Sequence, residues 1–255
     1  SKTQLYPLYV YDTSAPSPGE DGKLLAERAS TQSPLRRHNL KPAFLERLGK
    51  ALGRSVSPEE AFAYLYAVLN HPLYAERFAE NLRMALPRVP IPQDPEVFQS
   101  LAEAGQKLLH LHTEYETLKP EEFETLVEEK EGAPQDPYER YRVEKMELDE
   151  EAGVLRYNEW VSLKGIPREA FSWHPGGYHV LRWLVDYLQV KTKVPQGKGE
   201  AIVWDPNGLL REKGDPYYLV DHIRRAVHVA VRTAEIHKAI REAVEAVLPA
   251  PGDED

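Results

Sequence analysis

Cysteine is absent from the chain, which excludes disulfides and thiolate metal ligands. No apolar run approaches the roughly eighteen residues that a membrane-spanning helix needs. The first residues, SKTQLYPLYVYD, lack the charged-then-apolar order of a secretory leader. These absences fit a cytoplasmic protein. Several chemical signatures are missing as well. There is no GxxxxGK[ST] phosphate loop, no GxGxxG after a strand and no GxSxG nucleophile elbow. Gly176-Gly177 is an isolated pair. Nine histidines are present, but none sits in an HExxH pattern. His110 and His112, two apart, point to different faces of a helix. His222 and His228, six apart, are poorly spaced for one metal ion. No catalytic residue, metal ligand or cofactor site is therefore expected within the chain.

What is present is enough chain for a real core: 255 residues, 42% hydrophobic and 29% charged. The net charge of −9 weighs against a polyanionic partner until its distribution is resolved. Residues 1–92 carry a net +3, residues 93–151 a net −12, and residues 156–232 a net +4. A binding face is local, so the two mildly basic blocks matter more than the total. The acidic block reads as a solvated face.

Residues 5–11 alternate like a short strand, with Pro7 placing it at an edge, and residues 12–35 read as a loop. Pro42, Phe44, Leu45, Leu48 and Leu52 predict a helix. Ser57-Pro58-Glu59-Glu60 is a helix start with a capping box. That helix runs to His71-Pro72, and another follows over 73–86. The segment PRVPIPQDP is extended and shapes a turn, and residues 95–112 return to helical period. The stretch 113–139 reads as irregular with at most a turn of helix. The period then changes to two: Tyr141, Val143, Met146 and Leu148 form one β-like run, and Val154 to Leu163 another, with Gly153 in the turn between them. Helices are expected near 168–188 and 215–247, on either side of a Gly/Pro-rich basic loop at 190–214. Trp183, Leu184 and Leu188 read as core. Asp215-Pro216-Tyr217-Tyr218 has a superficial likeness to the [DN]PP[YF] tetrapeptide of amino-methylating enzymes. Its third residue is Tyr, and a helix cap accounts for it better. The fold class is α+β, mainly helical, with a β-hairpin or small antiparallel sheet near 141–165. A helical part with an edge strand and linker covers 1–115, and a hairpin plus helical part covers 116–255.

Between Trp173 and Lys198, aromatic, imidazole and basic side chains surround the diglycine. Such groups beside an adaptable backbone suit contacts to base edges and phosphates. They also suit an ordinary helix N-terminus packed on a core.

Several blocks taken in order resemble type ISP restriction–modification enzymes and related helicase–methyltransferase proteins. They are Phe62 to Pro92 (FAYLYAVLNHPLYAERFAENLRMALPRVPIP), Phe98 to Tyr115, Tyr141 to Met146, Tyr157 to Pro167, Gln189 to Lys193, Ile202 to Asn207 and the helix from Asp215 to Ile236. The resemblance covers about residues 5–240. Trp204 stands where that family's loop carries Asn, and PQGKGE lengthens the loop before it. The resemblance implies a C-terminal target-recognition domain, which docks on a methyltransferase domain of the same polypeptide and reads double-stranded DNA. S-adenosylmethionine, ATP and Mg2+ are then expected only in upstream domains, where adenine-N6 methylation and cleavage would occur. Residues 1–115 would face the methyltransferase. With that role in view, local charge and loop placement point to phosphate contacts from Arg36, Arg37, Arg156, Lys164, Arg168, Arg182, Lys191, Lys193, Lys198 and Arg211. Base-edge or stacking contacts would come from His174, Tyr178, His179 and Asn207. The alternative is a protein-interaction module that docks on a methyltransferase or helicase without reading bases.

Overall fold

The computed structural model describes residues 6–12, 35–119, 122–193 and 200–249. Two compact units emerge. The first comprises Ser1–Leu69, Leu73–Gln106 and Ala243–Asp255, and the second Asn70–Pro72 and Lys107–Glu242.

The first unit opens with a two-stranded antiparallel sheet, β1 (Tyr9–Asp12) against β2 (Leu35–His38). Helix α1 (Pro42–Leu52) starts on its proline and ends at Gly53, whose φ of 67° a side chain would disfavour. Helix α2 (Pro58–Asn70) follows. Its expected capping box is in place: Glu60 N–H donates to Ser57 Oγ at 3.1 Å, and Ser57 N–H donates to the Glu60 carboxylate at 2.9 Å. The single helix expected over 73–86 is two short ones, α3 (Pro72–Arg77) and α4 (Asn81–Met84). Helix α5 (Pro95–Thr113) crosses α2 closely, because Gly105 lies under the backbone of Ala63. Leu48, Tyr64, Val68, Phe98 and Leu101 fill the core. The Tyr64 hydroxyl donates to Pro90 O at 2.7 Å and that of Tyr74 to Arg88 O at 2.8 Å. Two tyrosines thus fix the extended PRVP segment.

The second unit is built on an antiparallel sheet of four strands in the order β3-β6-β5-β4: β3 (Leu126–Glu129), β4 (Glu147–Asp149), β5 (Val154–Arg156) and β6 (Val161–Lys164). Gly153 makes the β4–β5 turn at φ 64°, as its spacing predicts. The run from Val154 to Leu163 is two strands and not one, because Asn158 closes a turn inside it. Its Oδ1 accepts from the N–H groups of Trp160 and Val161, and its Nδ2 donates to the carbonyls of Arg140 and Arg142. Strand β3 lies in the acidic stretch expected to be irregular. Glu124 there pairs with His228 and Arg232. Beyond the sheet come α6 (Pro137–Arg140), α7 (Val180–Tyr187), a ribbon of β7 (Lys191–Lys193) and β8 (Ile202–Trp204), α8 (Gly208–Lys213) and the 30-residue α9 (Tyr218–Val247). The Asp215 carboxylate accepts from Tyr217 N–H in the turn that leads into α9, the capping role assigned to it. One hydrophobic core joins the sheet to α7 and α9 through Leu155, Leu163, Leu181, Leu184, Ile223 and Val227.

Candidate nucleic-acid interface

After a 3-10 turn at Arg168–Phe171, a second at Pro175–Gly177 places Gly176 and Gly177 at φ 61° and 82°. The reversal delivers His179 to the N-cap of α7, where its Nδ1 accepts from Arg182 N–H at 3.2 Å. The His174 ring meets that of His179 edge-on at 5.1 Å. Glu150, which no pattern singled out, completes the cluster. Its carboxylate lies 3.3 Å from His179 Nε2 and accepts from Arg182 Nε. Burial depresses the His179 imidazole pKa, opposed by the Glu150 charge. The Arg182 hydrogen bond holds the Glu150 carboxyl below its usual range. His174, His179 and Arg182 are therefore brought together, with Tyr178 70% exposed beside them.

The other expected positions scatter. Arg156 and Arg182 line an open cleft of about 700 Å3 that also holds Glu147, Asp149, Glu150 and Glu151. Four carboxylates against two guanidinium groups oppose a phosphate at that cleft. Lys164 pairs with Glu128, Lys191 with Asp186, Arg156 with Glu147 and Arg211 with Glu139. Exposed pairs of this kind contribute about 0–1 kcal/mol, so outside the acidic cleft the cations of Lys164, Lys191 and Arg211 are only weakly held by their carboxylate partners. Arg168 and Lys193 are exposed and make no ion pair among the described residues. In the first unit, Arg36 lies 4.2 Å over the Tyr9 ring and Arg37 is exposed. Lys198 lies outside the described residues.

Two expectations need correction. Asn207 was expected at a base edge, but it is buried, and its amide is engaged by both N–H and C=O of Val143. Trp183 was expected in the core, but it is 53% exposed. The buried stripe of α7 is Leu181, Leu184 and Val185, and residue 183 falls on the opposite face. On that face Trp183 stacks on Tyr187 at 5.2 Å, and Tyr187 lies 5.1 Å from Trp204. The Trp204 indole N–H donates to Tyr187 O at 2.9 Å. The residue that departs from the family pattern thus ties β8 to α7. The i, i+4 spacing of Trp183 and Tyr187 was the available signal for this tier.

A sequence profile described as the Type ISP C-terminal specificity domain matches residues 1–222. The chain belongs to that family. Among curated proteins none matches. The ATP-dependent Type ISP restriction-modification enzyme LlaBIII bound to DNA shares the fold of this specificity domain, with a TM-score of 0.64 and 23% identity over 95% of this chain and 13% of that one. A nuclease-deletion mutant of the Type ISP restriction-modification enzyme LlaGI, in complex with a DNA substrate mimic, is 29% identical over 73% of this chain and 14% of that one, with a TM-score of 0.57. The DrdV–DNA complex is 26% identical over 82% of this chain and 20% of that one, with a TM-score of 0.59. The specificity domain therefore spans 13–20% of the length of these structures. Among its described residues, no group of three or more His, Asp or Glu is placed to hold a metal ion, and no helix is long and apolar enough to cross a membrane.

Proposed function

We propose that this specificity domain recognises a target sequence in double-stranded DNA for a Type ISP restriction–modification enzyme. It would hold the duplex while other domains carry out adenine-N6 methylation and cleavage. The observation that carries this reading is the family match over residues 1–222. The DNA complexes of LlaGI and DrdV add support.

In this reading, phosphates are held by Arg168 and Lys193, with Lys164, Lys191 and Arg211 exchanging their exposed carboxylate partners for phosphate oxygens. Tyr178 and His174, both exposed beside the diglycine turn, are the stacking and base-edge candidates. Arg156 and Arg182 face the acidic cleft and serve the fold. Methyl transfer needs the adenine turned out of the duplex, which costs a few kcal/mol. A domain that grips the flanking duplex helps meet that cost by fixing the DNA against the methyltransferase. S-adenosylmethionine, ATP and Mg2+ act in the other domains.

The first unit fits docking on the methyltransferase domain. Met84 is 90% exposed and Leu86 62%, at the mouth of a cavity of about 340 Å3 lined also by Tyr74, Phe78 and Leu82. Apolar surface of this kind marks an interaction site.

Gel-shift titration with duplex DNA at low salt tests the reading. A shift is expected that weakens linearly with log salt, and replacing Lys191 and Lys193 by Ala is expected to lower the slope by about one per lost contact. Absence of any shift at low salt would count against DNA recognition in favour of pure protein docking.

A further inference from the structure

The β7–β8 ribbon differs from every other strand pair of the second unit, because all six of its residues are exposed. Ile202 is 64% exposed and Val203 59%. Exposed aliphatic side chains carry a solvation cost that no neighbour among the described residues relieves. The pairing register is Lys191↔Trp204, Thr192↔Val203 and Lys193↔Ile202. Alternation therefore puts Lys191, Lys193, Ile202 and Trp204 on one face and Thr192 and Val203 on the other. The first face is tied to α7 at its base, through Trp204 against Tyr187 and Lys191 with Asp186. The Thr192–Val203 face consequently turns away from α7, and the Lys193–Ile202 pair lies at the end remote from that anchor.

We infer that this ribbon enters the major groove of duplex DNA and reads bases with Thr192 and Val203 on its outward face, while Ile202 and Lys193, on the other face at the end remote from α7, meet the groove wall and its phosphate. The inference rests on the reading of the chain as a DNA specificity domain and names the element that does the reading. Three physical points favour DNA as the occupant. Two strands lie about 4.8 Å apart, and a groove about 12 Å wide admits such a ribbon. Methyl-bearing side chains next to a hydroxyl match the thymine methyl and the adjacent donors and acceptors of the groove edge. The ribbon's own charge is positive: two lysines, no carboxylate, and Lys193 without an ion pair among the described residues. The α7 anchor supplies rigidity, since Trp204 fixes the strand on one side while leaving the other open.

The experiment is selection of bound duplexes from a random pool by the full chain. It is run on the wild type, on the triple variant Thr192→Ala/Ile202→Ser/Val203→Ser, on Lys193→Ala, and on Leu126→Ser as an exposed apolar control on β3. Thermal melts verify folding, which these exposed positions do not threaten. The triple variant is expected to lose base preference at two or three adjacent positions and to bind the wild-type motif roughly 10- to 100-fold more weakly. Lys193→Ala should weaken all sequences alike and lower the salt slope by about one. The control should match wild type. If the wild type enriches a motif and the triple variant enriches the same one with equal affinity, the ribbon is not the reading element. Its apolar residues would then belong to a protein contact, while the DNA reading survives. If the wild type enriches nothing and binds no duplex, both fall together.

Discussion

Asn207 acts as a one-residue strand for Val143. Its Oδ1 accepts from Val143 N–H and its Nδ2 donates to Val143 O, each at 2.7 Å, across 64 residues of sequence. The alternating burial of Tyr141 and Val143, which reads as a strand in sequence, is therefore real without a ladder partner. The side-chain amide supplies the hydrogen bonds that a neighbouring strand normally provides.

Removing that amide leaves two buried backbone groups unpaired, at about 1–3 kcal/mol each. Asn207→Ala should cost about 2–6 kcal/mol in urea-induced unfolding. Asn207→Asp should cost at least as much, because a buried carboxylate oxygen would face Val143 O and Asp205 Oδ1, the two acceptors that Nδ2 now serves. A loss below about 0.5 kcal/mol for the alanine variant would show that water replaces the amide.

Gly105 is required by the crossing of α2 and α5. A Cβ there would lie 1.9 Å from Ala63 O, inside any permitted contact. Helix propensity alone would make Gly105→Ala favourable by about 1 kcal/mol. Overpacking should dominate, with a net loss of about 1–3 kcal/mol and a lower melting temperature. A raised melting temperature would mean that the two helices separate freely.

Acid should destabilise the second unit through two histidines. Burial pushes His112 down to about 4, and burial together with the His71 and His112 charges pushes His237 down to about 4. His112 stacks on Trp173 at 4.8 Å and bonds Thr233, while His237 contacts Asn70 and the His71 ring. Both imidazoles are neutral in the folded chain, and in the unfolded chain they titrate near the ordinary 6.5. Below pH 6.5 the unfolded chain binds protons that the folded chain refuses. Stability is therefore lost as pH falls from about 6.5 to about 4 and then levels off. Denaturant midpoints measured across that range for wild type, His112→Gln and His237→Gln check this, and each variant should flatten the profile.

Charge placement makes a sharper prediction about DNA. Arg168→Ala should reduce the salt slope of binding by about one, because its guanidinium group pairs with no carboxylate among the described residues. Arg156→Ala should leave the slope unchanged, because it sits among Glu147, Glu151 and their neighbours. Equal effects from both would mean that the acidic cleft also opens onto the duplex.

By itself the sequence determined what local chemistry decides. Ser57, Pro58 and Glu60 start a helix wherever the chain lies, Gly153 turns because it alone tolerates positive φ, and Asp215 caps because its carboxylate reaches its own backbone. Leu184 and Leu188 of the α7 stripe were also legible as core, but Trp183 was read with them and lies exposed on the opposite face. The tertiary structure decided everything that needs a distant partner. Strand β3 was hidden in an acidic stretch because its identity comes from pairing with β6, not from its composition. Asn207 looked like a base reader because an amide's donors and acceptors do not reveal what they will meet. The cations looked equivalent until folding placed some beside carboxylates and left Arg168 and Lys193 without an ion pair among the described residues. Hydrogen-bond and charge partners are long-range properties of the packed chain, and residue type alone cannot encode them.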